Sequence, residues 1–438
     1  MVGGTLLNCL TKSKMTNKLK IAVIDKNATK QAENTNVQNE DKPMVPGIRV
    51  SALTPLTINL FERLSVFDTL RNRRPTNPNW FYSPFTGMRV WDQSNLSSVS
   101  FNAPTSDPLG CIMDNDILVS GLMENVKNNI QDGSIQVIDG EVSAIKLPQQ
   151  AHHNPNLIVG DEKAVLTMRD GSCIKASLLV GCDGVNSAIR SMATVPSLGW
   201  DYKQRALVAT IRTSIPHSIA YQRFLSTGPI AMLPCTPDGL CSNIVWSTTP
   251  EHAYFLMTLE ADDLVKAINN AFHDGQTNNT PDAPMALEIV QQEKKPWRGA
   301  FPLRRMHVSE YVRSRFALAG DAAHAIHPMA GQGVNLGIVD AVQMTKCLQE
   351  CIRSGADLGD VIMLRKHYQS VQFKRNELMM DQLEFIKRSF DVGPNVPLFP
   401  KVRALGMSIL DKTDFIKDKV LKFASGSDVK LDHIGGII

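Results

Sequence analysis

The segment GDAAHAIHPMAGQGVNLG, residues 320–337, constrains this chain more than any other. The apolar run RFAL precedes it, and a long stretch with helical apolar spacing follows to about residue 352. The pattern predicts a strand over 315–324, a Gly/Pro turn and a helix over roughly 333–352. A carboxylate at the carboxyl end of a parallel strand points into the crevice where α/β proteins hold ligands. Asp321, after Gly320, has that place and can accept hydrogen bonds from sugar-like hydroxyls. Pro328, Gly331 and Gly333 let backbone approach a ligand closely. The helix start then offers free N–H groups and a positive dipole end to negative charge. A plain β-turn-α junction with an aspartate cap explains Gly320-Asp321 alone, but not the whole string.

The rest of the chain supplies a matching frame. KIAVID (20–25) reads as a buried parallel strand ending in Asp25, and RVSAL (49–53) as another. Thr54-Pro55 opens a helix, with threonine as N-cap and proline in the first turn. MRVWD (88–92) is strand-like, and Asn115-Asp116 caps the helix ILVSGLMENV. Strands alternate from 135 to 182, with turns at Asp139-Gly140 and Asp170-Gly171. ALVATIRT, IAMLP and NIVWST are three strands in succession, followed by the helix ADDLVKAINNAF. Strands separated by helices imply a parallel α/β sheet, and the block near 200–250 implies an inserted antiparallel sheet. Phe224 and Trp246 read as core residues of that sheet. The predicted division is 1–70, 110–199 and 300–352 for the first domain, 71–109 and 200–299 for the second, and a helical region over 353–438.

Composition narrows the function. A net charge of +3 and a pI of about 8.3, without a dense Lys/Arg block, give no case for nucleic acid. The eight cysteines are scattered without CxxC spacing, so they read as reduced thiols and no metal site is expected. No apolar run reaches the ~18 residues of a membrane span, which leaves peripheral contact. The lysine-rich, acid-free first twenty residues look superficially like a transit peptide but read better as a structural helix. RALGMSILDKTDFIKDKVLKF (403–423) has the makings of a basic amphipathic helix for an anionic membrane. Packing on the protein's own core is the competing reading, and Asp411, Asp414 and Asp418 weaken the basic face.

The string 320–337 resembles the ribityl-binding motif of class A flavoprotein monooxygenases. LLVGCDGVNSAIR (178–190) resembles the same family's Asp-Gly motif, with Asp183-Gly184 turning the chain. The start, MVGGTLLNCL, reads as a glycine turn followed by a helix and resembles the end of a GxGxxG fingerprint and its helix, Gly3 matching the last glycine. The first strand and first two glycines of that fingerprint are not in the sequence. The expectation is a fingerprint cut short by an incomplete gene model, an alternative start or a shortened isoform. WDYKQRALVATI, AYQRFLSTGPIAMLP and NIVWSTTPEHA, with RVSALTPLTINLFERLSVFD, MRVWD and DNDILVSGLMENV, resemble the ubiquinone-biosynthesis hydroxylases. These are the UbiH/UbiF group and its eukaryotic mitochondrial counterpart, with the ring-carbon-5 hydroxylase most similar.

The resemblance implies a para-hydroxybenzoate-hydroxylase-like fold: a Rossmann-like α/β domain for FAD, an inserted antiparallel-sheet substrate domain and a helical C-terminal region. It implies that Asp25 meets the adenosine ribose, that Asp321 meets the ribityl chain, and that Gly331, Gln332, Gly333 and Asn335 lie beside the isoalloxazine ring. Asp183-Gly184 would approach the cofactor, and Arg49 the flavin and substrate entrance. His324 and His327 could shuttle protons but read better as structural histidines, so the catalytic base stays unassigned. The implied reaction is hydroxylation by molecular oxygen of a polyprenylated 4-hydroxybenzoate-derived ring. The implied partners are a ferredoxin/ferredoxin reductase donor and other ubiquinone-biosynthesis proteins, at the matrix side of the mitochondrial inner membrane. Two other readings stay open: a non-catalytic scaffold subunit, which FAD retention would discriminate, and another FAD oxidoreductase of prenyl lipids, which oxygen dependence would discriminate.

Overall fold

A computed structural model describes residues 1–27, 46–94, 97–103, 107–129, 134–148, 150–151, 154–158, 162–275, 280–291, 297–391, 399–413 and 417. Most of the polar segment after Asp25 and most of the stretch after Lys412 lie outside these residues.

Helix α1 (Val2–Lys12) comes first. The sequence suggested a glycine turn before a helix, but Gly3 and Gly4 are inside the first helical turn. Close packing gives the reason: a Cβ on Gly4 would meet Leu122 Cβ at 3.3 Å, and one on Gly3 would meet Cys182 Cβ at 3.4 Å. Buried Asn8 holds the α1 interface, donating to the carbonyls of Gly4 and Leu122 and accepting from Asn125. Strand β1 (Ile21–Asp25) follows, then β2 (Val50–Leu53) and α2 (Pro55–Arg63). Thr54 caps α2 as expected, its side chain accepting from Thr57 N–H.

Strands β3 (Gly87–Asp92), β4 (Ser98–Asn102) and β5 (Gly110–Asp114) lead to α3 (Asn115–Asn129). The cap of α3 is Asp114 rather than Asn115-Asp116: its Oδ1 accepts from the N–H groups of Asp116 and Ile117. Its Oδ2 accepts from Gly47 N–H, which ties the approach to β2 to the same carboxylate.

Strand β6 (Ile135–Asp139) pairs parallel with β1, Asp25 opposite Asp139. Strand β7 (Leu179–Gly181) precedes helix α4 (Ala188–Met192). The next strands are β8 (Ser197–Thr213), β9 (Ile219–Leu225), β10 (Gly228–Pro234) and β11 (Cys241–Thr248), followed by helices α5 (Pro250–Thr258) and α6 (Ala261–His273). Then come β12 (Arg298–Val308), β13 (Phe316–Leu318), β14 (His324–Ala325) and helix α7 (Gly333–Ser354). Helices α8 (Ser370–Asp391) and α9 (Phe399–Lys412) follow.

The strand predicted over 315–324 is broken in two. Strand β13 pairs parallel with β7 and ends at Leu318. Gly320, at φ +62°, turns the chain into a short 3-10 helix, and β14 then joins a different sheet by pairing with β12. Among the described residues, the parallel pairs β1–β6 and β7–β13 belong to separate sheets, with no strand joining them.

The largest sheet runs β14–β12–β8–β11–β10–β9–β3–β4, with residues 286–289 also paired to β8. It is antiparallel except where β9 runs parallel to β3. That exception arises because β3 is brought in from a distant segment rather than by a hairpin. One face packs against α5 and α6: Leu207, Ile211, Ile244 and Trp246 meet Leu256, Leu264, Ile268 and Phe272. Phe224 is buried and stacks on Phe390 of α8, ring centroids 3.6 Å apart. Phe224 and Trp246 are therefore core residues, as read from the sequence.

Candidate flavin site

Three chain segments end side by side. Gly181 is in register with Leu318, so Cys182-Asp183 and Gly320-Asp321 leave the parallel pair β7–β13 together. The start of α1 packs onto them. A Cβ on Gly320 would meet Val2 Cγ2 at 2.7 Å, and the left-handed backbone at Gly320 itself disfavours any side chain. The buried Met1 amino group is pushed to lower pKa by burial, while Cys182, Asp25 and Asp321 oppose that shift through their charges. The first turn of α1, the end of β1 and the GD turn therefore share one crevice.

Asp321 opens to solvent there, but protein atoms crowd its carboxylate. Burial raises its pKa, and the charges of His324, the Met1 amino group and Arg49 pull it back. Arg49 is exposed, within electrostatic reach of Asp321, and its guanidinium lies 5.7 Å from the Phe301 ring centroid. Asp25 ends β1 and accepts from Asn27 N–H.

The Asp-Gly turn is braced from within. Asp183 accepts from Ser187 Oγ at 2.5 Å and from Ile189 N–H, so its carboxylate caps α4. Gly184 has φ +85° and faces open space. Arg190 donates to the carbonyls of Val185 and Ala322, clamping this turn to the GD turn.

Pro328 begins a 3-10 turn that ends at Gly331, whose φ of +61° and approach to Ala52 (a Cβ would be 2.8 Å from Ala52 Cβ) leave room for glycine only. Gly333 is less crowded, with Ile326 3.7 Å from a notional Cβ. Gln332 occupies the N-cap of α7. Asn335 uses its whole side chain on the protein. Its Oδ1 accepts from Thr54 N–H and Thr57 Oγ1, and its Nδ2 donates to Ala52 and Gly331 carbonyls. Asn335 therefore fastens the glycine turn to β2 and α2, leaving backbone to face a ligand.

The residue that sequence reasoning missed is Asp340. It is fully buried on α7 and accepts from Gly320 N–H (2.8 Å), His324 Nε2 (2.6 Å), Gln372 Nε2 (2.8 Å) and Asn376 Nδ2 (3.0 Å). The signal was available: one acid amid the apolar run LGIVDAVQM. Burial works against charge on both members of the His324–Asp340 pair, but each stabilises the ionised partner. The net effect raises the His324 pKa and lowers that of Asp340.

The crevice suits a dinucleotide carrying a ribityl chain. An open carboxylate sits at a strand end, a second one ends β1, and a helix start free of acidic residues lies between them. Residues 159–360 match the family model described as FAD binding domain. Solved structures share the fold, among them the following two. The p-nitrophenol 4-monooxygenase PnpA from Pseudomonas putida DLL-E4 has a TM-score of 0.66 at 15% identity, covering 97% of this chain and 95% of that one. The probable FAD-dependent monooxygenase pqsL from Pseudomonas aeruginosa has a TM-score of 0.61 at 17% identity, covering 93% and 96%. Fold and family model together define a flavoprotein fold with an FAD-binding domain. Among curated proteins, the chain is 30% identical over 399 residues to "Ubiquinone biosynthesis monooxygenase COQ6, mitochondrial" of Xenopus tropicalis, covering 86% of this chain and 82% of that one. It is 30% identical over 403 residues to the Homo sapiens protein of the same name, again covering 86% and 82%. The chain belongs to this family of ubiquinone-biosynthesis monooxygenases.

Two outcomes are expected. Asp321→Ala should raise the FAD dissociation constant about ten- to a hundredfold, the worth of one or two charge-assisted hydrogen bonds. The variant should purify pale yet folded by circular dichroism; a stoichiometrically yellow variant would refute the role. Asp340→Asn should lower the urea midpoint and flatten its pH dependence. In the wild type, the raised His324 pKa gives stability that is complete below about pH 6.5 and lost as pH rises through the folded value. The depressed Asp340 pKa gives stability complete above about pH 4 and lost as pH falls through its folded value. Stability should therefore peak between those limits, and equal pH profiles for the two proteins would contradict the assignment.

Proposed function

We propose that the protein hydroxylates carbon 5 of a polyprenylated 4-hydroxybenzoate-derived ring with molecular oxygen. The observation that carries this reading is the convergence of Asp321, Asp25, Arg49 and the start of α1 on one crevice beside the large sheet. Bound FAD would supply oxygen activation and transfer. The chain's residues would bind, orient and shield. Asp25 would hold the adenosine ribose, and Gly3 with the first turn of α1 the pyrophosphate. Asp321 would hold the ribityl hydroxyls. The α7 start from Gly331 to Asn335 would set N–H groups and its positive end against negative charge on the flavin's pyrimidine end. Asp183 and Gly184 would shape the approach to the cofactor, and Arg49 the entrance. The flavin portion would be assembled from residues 1–70, 110–199 and 300–352, with 71–109 and 200–299 serving the substrate. Electrons would come from a ferredoxin and its reductase, and other ubiquinone-biosynthesis proteins would be partners.

Neither motif histidine is placed as a general base. His324 is held by Asp340 in full burial. His327 uses Nδ1 to accept from Met329 N–H, so in the neutral ring the proton stays on Nε2.

A polyprenyl substrate favours work at a bilayer, and we place the enzyme peripherally at the matrix face of the inner membrane. No helix among the described residues is long and apolar enough to cross one. Helix α9 buries Met407 beside Val99 and Phe101 but exposes Leu405 and Ile409. Its basic continuation, Lys419 and Lys422 with Phe415, Ile416, Val420 and Phe423, lies outside the described residues.

Turnover of a prenylated 4-hydroxybenzoate under ¹⁸O-labelled oxygen should give product carrying one labelled atom; unlabelled product, or turnover without oxygen, would exclude a monooxygenase. Removal of residues 403–438 should weaken co-sedimentation with cardiolipin-containing liposomes severalfold. If a folded truncated form binds them as well as the intact chain, this segment is not the membrane contact.

A further inference from the structure

The loop that carries the flavin motif also places a histidine against the large sheet and α8. His327 is 1% exposed. Its Nδ1 accepts from Met329 N–H at 3.2 Å, which fixes the other ring nitrogen as the donor. That Nε2–H has no hydrogen-bond partner among the described residues. A buried donor without an acceptor is destabilising, and a ligand that supplied the acceptor would relieve it.

Its neighbours come from β8 and α8. Tyr202 of β8 meets the His327 ring edge to face, centroids 5.1 Å apart. The Tyr202 hydroxyl is committed elsewhere, donating to Glu384 of α8 at 2.8 Å. The buried Lys387 of α8 sits 4.7 Å from the centre of the Tyr202 ring. One turn further on, Phe390 stacks on Phe224 of β9. Helix α8 therefore spans from the flavin loop to the sheet face opposite α5 and α6, and His327 stands at the junction, one residue before the turn Pro328–Ala330. Burial, with the charge of Lys387, pushes the His327 pKa down to about 3, so the ring stays a neutral donor at any physiological pH.

We propose that the Nε2–H of His327 donates a hydrogen bond to the ring oxygen of the aromatic substrate and so sets which ring carbon faces the flavin. This rests on the hydroxylase reading above. A neutral donor suits such a role, because it fixes the oxygen in place and withdraws less electron density from the ring than a cation would. Its partner is an oxygen substituent on an aromatic ring, ortho to a carbon to be oxidised.

The test uses FAD-loaded full-length protein and two probes, 3-prenyl-4-hydroxybenzoate and its 4-deoxy counterpart, 3-prenylbenzoate. Dissociation constants are read from the flavin absorbance change. The wild type should prefer the hydroxylated probe about tenfold or more. His327→Asn keeps an oxygen to accept from Met329 N–H but lacks the distal donor; it should keep FAD and lose the preference. His327→Gln reaches the distal position with an amide N–H and should regain part of it. A preference unchanged in FAD-loaded His327→Asn overturns the proposal, because the histidine would then serve only the loop. A wild type that binds both probes equally overturns it too and leaves the hydroxylase reading standing. A wild type that binds neither removes both.

Discussion

A buried carboxylate organises the centre of this molecule. Asp340 takes donors from the GD turn, from the histidine after it and from two residues of α8. A carboxylate out of water needs this many donors, because the penalty for an unpaired buried charge exceeds what one contact returns. The arrangement fixes the direction in which the chain leaves β13, and hence where Asp321 lies. Removing Asp340 would strand a buried histidine and the amide of Gly320 together.

Around that centre, much of the apparent site machinery is devoted to shape. Asp183, Arg190 and Asn335 all look like ligand contacts in a motif, yet their side chains are consumed by capping and clamping. What remains open is backbone at glycine turns and the Asp321 carboxylate at a strand end. This suits a large cofactor, recognised through many backbone N–H groups and a few sugar contacts and needing a surface that does not relax when it binds. Arg49 lies within electrostatic reach of Asp321, so charges of opposite sign meet at the crevice.

The sequence was most informative where local chemistry decides the outcome. The Thr54-Pro55 cap, the β1 run ending in Asp25 and the α7 start needed no tertiary information. It misled where a neighbour decides. Gly3 and Gly4 looked like a turn because glycine is a poor helix former, yet contact with Cys182 and Leu122 requires small residues inside the helix. The run 315–324 looked like one strand, but a left-handed Gly320 divides it between two sheets. Asn115-Asp116 carried the cap signal, while Asp114, which also receives Gly47, performs it. Two partners of Asp340 were invisible because they lie on α8, and the approach of Tyr202 to His327 because it joins β8 to a loop far along the chain; no local pattern reports either.

The ties of Asn335 carry a consequence for how the protein is made. Its bonds reach Thr54 and Thr57, 281 and 278 residues back along the chain, and Gln349 bonds Ser13 across 336 residues. Such long loops must close before these contacts return any stability. On the ribosome, the first third of the chain therefore emerges with α1 and β2 lacking their partners on α7. The flavin crevice is assembled last, when the segment from residue 320 to 376 arrives and closes over it. During synthesis α1 and α3 can cover one another, but the apolar face that α1 turns to α7 waits uncovered, and chaperone demand should be greatest in that interval.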